Sequence, residues 1–245
     1  QPKKEGTTIE SYFDWFAKLP EQNITAHSHN IVQVEPGVWI NNAWVNWTWV
    51  GNPGLTARMT FIFRETPEGS CIFELHSSAL PSSPEERRLR GSLSSMVAPG
   101  RPALPSSFAE LAASAGTETW MDAVVNRSDP QAVAQLFCED AVLVATAGVG
   151  LRKQTLSTDG WGKPKEQGTT IGSYFDWFAK LPQQKIVRSH FNIVEVAPNV
   201  LVNNAWVDWK WEGNPGLTAR MAFVYRVSPE GTCLFELHSS QLPEN

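Results

Sequence analysis

Apolar residues recur at helical spacing from Phe108 to Asn126, with Leu111, Ala115, Met121 and Val125 as the candidate buried positions. Ser128-Asp129-Pro130 then reads as a helix start, and the helix it opens, about 129–138, places Val133, Leu136 and Phe137 on one side. Ala141 to Thr146 is a short apolar run that predicts a strand. Thr169 to Leu181 is amphipathic, carries Ile171, Phe175 and Phe178 inward, and is closed by Pro182. Beyond it the period changes from helical to alternating. Ile186–Val196, Val200–Glu212, Thr218–Val227 and Thr232–Ser240 are rich in Val, Ile, Trp, Phe and Tyr, and turn residues separate them. Helices followed by an antiparallel meander predict an α+β fold, a curved sheet whose concave face is covered by helices and encloses a pocket.

The same pattern occurs earlier in the chain. Gly6 to Pro20 matches Gly168 to Pro182 with one change, Glu10 for Gly172, and the register continues without a gap to Phe-Glu-Leu-His-Ser-Ser at 73–78 and 235–240. About two-thirds of the paired positions are identical, which implies duplication. The copies are unequal, because 106–160 has no counterpart before the first. The expected organisation is an incomplete repeat at 1–81, a Ser/Pro/Gly/Arg-rich linker at 82–107 and a complete repeat at 108–245. A copy without its leading helices would leave part of its apolar face uncovered.

Composition narrows the class. A net charge of −5 with dispersed acids argues against binding nucleic acid through phosphate neutralisation, and no apolar run is long enough to be a spanning helix. Cys71 and Cys233 are equivalent in the two copies and Cys138 stands alone, so the three read as small buried hydrophobes rather than a disulfide framework. The chain opens on Gln1 with no leader pattern, and reads as a piece of something longer.

Candidate chemistry is sparse. His27-Ser28-His29 resembles a metal pair, but the second copy has Ser189-His190-Phe191 there, so a metal-independent site is expected. His238 and Ser240 share a face at the end of the last strand, with Glu236 behind them, and His76 and Ser78 repeat the arrangement. Such a pair could hold a water and move its proton, or could simply close the sheet. Tyr12 and Tyr174 lie beside the apolar stripe of their helices, and Thr146 ends the first strand of the complete copy. Arg58 and Arg220 recur on the third meander strand, where an inward arginine would suit a small anion such as bicarbonate and an outward one a surface ion pair. Ala205, Val207, Trp209 and Trp211 share one face of their strand, as core, as dimer surface or as a stacking platform.

The run Ser-Tyr-Phe-Asp-Trp-Phe-Ala-Lys-Leu-Pro, with Ala-Arg-Met, Tyr-Arg and a final His-Ser-Ser-x-Leu-Pro, resembles the bacterial and algal relatives of the calmodulin-kinase II association domain. Within that group it is most similar to the iota-class carbonic anhydrases of the NTF2-like superfamily, some of which are algal tandem repeats. The resemblance implies a cone-shaped α+β barrel that dimerises through its sheet, as a homodimer or between repeats. It implies reversible CO2 hydration to bicarbonate without metal or other cofactor, and a plastid or other organelle lumen. Carried over, the catalytic set is Thr146, Tyr174, His238 and Ser240, with Tyr12, His76 and Ser78 in the first copy. Family members read His-His-Ser-Ser where this chain has Leu237 or Leu75 before His-Ser-Ser. The extra stretch Thr155–Pro164 would cover the pocket or displace Thr146. A non-catalytic association module on the same fold is the alternative.

Overall fold

The computed structural model describes residues 8–79, 107–146, 151–154 and 170–241; the expected linker, apart from Ser107, and Thr155–Pro164 lie outside them. In the first copy, α1 (Ile9–Ala17) precedes β1 (Asn23–Glu35), β2 (Val38–Trp49), β3 (Asn52–Thr66) and β4 (Gly69–Ala79). The second copy begins with α2 (Phe108–Met121), which runs into a π-helical turn at Asp122–Asn126, then α3 (Pro130–Gln135), β5 (Phe137–Val144) and β6 (Leu151–Lys153). It continues through α4 (Ile171–Phe178), β7 (Lys185–Ala197), β8 (Val200–Trp211), β9 (Asn214–Ser228) and β10 (Gly231–Gln241). The fold class is the expected one, α+β.

Local sequence explains the element boundaries. Ser107 caps α2 in a reciprocal box with Glu110, Asp129 caps α3 ahead of Pro130, and Thr170 caps α4. Gly37 and its counterpart Asn199 take positive φ at the first hairpin of each meander, which Gly and Asn tolerate best.

The sheets run β1-β2-β3-β4 and β6-β5-β10-β9-β8-β7, with β5 parallel to β10 and the other pairs antiparallel. Their registers coincide at the sequence offset: Val38 opposes Arg64 as Val200 opposes Arg226, and Arg58 opposes Ser78 as Arg220 opposes Ser240.

Helix α2 sits on a different face from the one its spacing suggested. Ala113, Thr117 and Trp120 are buried, whereas Leu111 and Ala115 are exposed. Two contacts decide this. Thr117 is held inward by hydrogen bonds with Tyr225 and Asn203, and Gly116 lies so close to Tyr225 that an added Cβ would come within 2.8 Å of its ring. Hydrophobic periodicity cannot see a buried threonine or a glycine chosen for close approach.

The cysteine reading is also corrected. Cys138 on β5 and Cys233 on β10 form a disulfide, and exposed Cys71 is free. The pairing joins a duplicated cysteine to an unduplicated one, so repeat symmetry concealed it.

The two sheets pack face to face. Ile40 and Ile62 meet Val202 and Val224 in one core, all of them fully buried. On their other faces the copies differ. Trp209, Phe223 and Leu237 are buried beneath the helices of the second copy, while their equivalents Trp47, Phe61 and Leu75 are only half-buried among the described residues.

Candidate functional site

A small cavity opens between the helices and the concave face of the second sheet. Trp120, Leu143, Ala145, Phe175, Phe178, Trp209 and Met221 form much of its wall, and Thr146, Tyr174 and Ser239 are the hydroxyl-bearing residues of its lining. The cavity is small, with about 20 Å³ of open volume. The Thr146 and Ser239 hydroxyls hydrogen-bond to each other. Tyr174 is buried, stacks on Phe178 at 5.5 Å, and has the Arg152 guanidinium 5.2 Å from its ring centroid. Trp209 is core and wall together: it packs edge-on to Trp120 and Phe178.

The expected catalytic set is divided by the sheet. Thr146 and Tyr174 share the cavity, but His238 and Ser240 lie on the opposite face, between the two sheets. Alternation along β10 explains the division: Leu237 and Ser239 point to the cavity, and Glu236, His238 and Ser240 point away. His238 and Ser240 share a face, as alternation predicts, but that face is turned away from the cavity. Ser239 is therefore the cavity hydroxyl that sequence reasoning missed, and Leu237 occupies the wall where the resemblance would put a histidine.

The residues between the sheets form a buried polar network related by the repeat. His76 Nε2 lies 3.0 Å from Ser240 Oγ, and His238 Nε2 lies 3.0 Å from Ser78 Oγ. Asn42 donates to Glu236 at 3.3 Å as Asn204 donates to Glu74 at 3.1 Å. The two imidazoles stack with centroids 4.1 Å apart. One position breaks the symmetry. Thr60 Oγ1 reaches Glu236 Oε1 at 2.7 Å and His238 Nδ1 at 2.8 Å, and its counterpart is Ala222.

Burial sets the charge states here. Desolvation pushes the Glu236 carboxyl up to about 8, against the hydrogen bond from Thr60, with neighbouring Glu74 adding to the rise. It pushes His76 down to about 3, helped by the nearby Arg220 and Arg58 charges. His238 is lowered by burial, then by His76, Arg58 and Arg220. Both imidazoles are thus neutral at physiological pH, and His238 is sealed from the cavity and from solvent. The proton-carrying role expected of it does not fit that position.

The arginines cross between copies. Arg58, on β3, is buried and donates to the main-chain oxygen of Ala145 in the second copy. Arg220, on β9, donates to the Ser77 oxygen of the first at 3.4 Å. Tyr12 is partly exposed on α1, close enough for the Arg220 charge to feel it. Tyr12, His76 and Ser78 do not line a cavity of this kind among the described residues. His27 and His29 sit 5.2 Å apart, and no group of three or more His, Cys, Asp or Glu among the described residues could hold a metal.

No protein-family model and no curated protein matches the chain. Solved structures do resemble it in part. A proposed calcium/calmodulin-dependent protein kinase II association domain from Xanthomonas campestris is 24% identical, covering 62% of this chain and 100% of its own, with a TM-score of 0.47. A proposed dehydratase of the NTF2-like family from Streptomyces avermitilis is 12% identical, covering 55% of this chain and 96% of its own, with a TM-score of 0.43. An NTF2-like protein of unknown function from Pseudomonas putida KT2440 is 12% identical, covering 52% and 82%, with a TM-score of 0.40. These are likenesses of chain path and nothing finer.

Proposed function

We propose that the chain catalyses reversible hydration of CO2 without a metal, in the cavity of its second copy. The observation that carries this reading is the hydroxyl pair of Thr146 and Ser239 in a small, largely apolar cavity that Tyr174 also lines. The apolar wall of Leu143, Trp209 and Leu237 suits uncharged CO2, and the hydroxyl pair suits the attacking water. Water held by Thr146 and Ser239 attacks the carbon, forming one C–O bond while one water O–H bond breaks. The proton leaves through the hydroxyl pair toward solvent, and Tyr174 donates to the bicarbonate oxygen on which charge develops.

Stopped-flow CO2 hydration on the full chain, with and without a strong chelator, tests this. Hydration above the buffer rate should survive chelation, disappear in Ser239→Ala and Tyr174→Phe, and persist in folded Ser240→Ala. A parent chain at the buffer rate, or one silenced by the chelator, sinks the proposal.

The second reading, an association module, is favoured by the buried network between the sheets, which joins two copies of one surface. A third, an NTF2-like enzyme using Glu236 as its base, loses its candidate, because Glu236 faces away from the cavity.

A further inference from the structure

Equivalent apolar side chains are open in the first copy and buried in the second. Ile9 is 80% exposed and Phe13 42%, whereas their counterparts Ile171 and Phe175 are 0% and 1% exposed. On the last strands, Ile72 of β4 is 55% exposed and Leu234 of β10 is 1%. Trp47, Phe61 and Leu75 differ in the same sense from Trp209, Phe223 and Leu237.

The second copy shows what such a face receives. Trp120 of α2 meets Phe175, Trp209 and Phe223 edge-on at 6.0, 6.1 and 5.3 Å, and Phe137 of β5 lies 5.9 Å from Phe175. Strand β5 runs parallel to β10, with Phe137 opposite Leu234 and Leu143 opposite Leu237, and it brings Cys138 to Cys233. Among the described residues of the first copy, β4 pairs only with β3. Cys71, at the position of Cys233, is an exposed thiol. An apolar face, a strand edge and a thiol thus coincide, each where the second copy takes up residues 107–146. A strand edge is a template for a further strand, and an exposed apolar patch marks a contact surface. The two meanders share their register and most of their residues, so what fits one describes what fits the other.

We propose that the β4 edge and the open face of the first sheet are a docking site for the leading helix–helix–strand portion of a further repeat of this module. The occupant carries an indole at the position of Trp120, over Trp47 and Phe61, and a phenyl group at that of Phe137, over Phe13. Its strand adds parallel to β4 and carries a cysteine, at the position of Cys138, toward Cys71. The site is separate from the cavity of the second copy and does not rest on the CO2-hydration reading.

The test uses the full chain, with a synthetic peptide of residues 107–146 as the probe. Anisotropy of the dye-labelled peptide should show saturable binding with a Kd below about 100 µM. Phe13→Asp and Ile72→Lys, both at exposed positions and each checked for fold by circular dichroism, should weaken it at least about tenfold, as should Trp120→Ala in the peptide. In oxidised glutathione, Cys71 and the peptide's Cys138 should close a disulfide, found by mass spectrometry of the digest. The two electrons and two protons that these thiols give up reduce one glutathione disulfide to two thiols. No binding, binding that Phe13→Asp and Ile72→Lys leave unchanged, or a peptide crosslinked only to Cys233 overturns the proposal. In the last case the peptide has displaced the chain's own segment instead. A chain that dimerises by itself in sedimentation, and that Phe13→Asp makes monomeric, also overturns it, since a second copy then fills the face.

Discussion

Replacing Glu236 with glutamine should flatten the pH dependence of this protein's stability on the alkaline side. In the fold the carboxyl is fully buried and its pKa is raised to about 8, against an ordinary value of 4.5. Between those values the folded chain holds a proton that the unfolded chain has released. Stability from this group is therefore greatest at low pH and is lost as pH rises, at about 1.4 kcal/mol per unit, until the folded group also ionises. From pH 6.5 to 9 the loss integrates to about 2 kcal/mol. Glutamine resembles the protonated acid: its oxygen accepts from Asn42 and its amide donates to Thr60. The histidines act in the opposite sense at the lower end of this window: His76 and His238 are lowered in the fold while the unfolded imidazoles are half protonated near 6.5, so raising the pH adds about 0.8 kcal/mol in parent and variant alike and cancels in their comparison. Below it the same effect grows: the unfolded chain takes up protons that the fold refuses, so acid also destabilises. Glu74 is raised too, by burial first, and leaves a residual slope in the variant. Urea unfolding followed by tryptophan fluorescence at pH 6.5 and pH 9 measures the difference. A Glu236→Gln variant that loses as much stability as its parent over that interval would refute the reasoning.

Two further outcomes are expected. Cys138→Ser should lower stability by about 2–5 kcal/mol, since Cys138–Cys233 closes a long loop with a separation of 95 residues, whereas Cys71→Ser should change little. Unfolding curves of the two serine variants separate a structural crosslink from a dispensable one, and equal stabilities contradict it. Leu237→His should raise the CO2 hydration rate by placing an imidazole on the cavity wall beside Ser239, provided that the variant folds. A folded variant no faster than its parent would show that proton removal through the hydroxyl pair is not limiting.

The order of elements was legible in the chain because helical and alternating hydrophobic periods differ so plainly on either side of Pro182. So was the duplication, which needs only identity at a constant offset. The pairing of His238 with Ser240 on one face followed from alternation alone. Alternation states which residues share a face, and it is silent on what covers that face. Only the packing of one sheet on the other turned Glu236, His238 and Ser240 into a buried joint and left Leu237 and Ser239 to the cavity. The disulfide, the inward turn of Thr117 and the reach of Arg58 to Ala145 are likewise contacts between segments far apart in sequence. Periodicity is a local property of the chain, whereas burial, charge state and proximity depend on which distant surfaces meet, and the tertiary structure alone decides that.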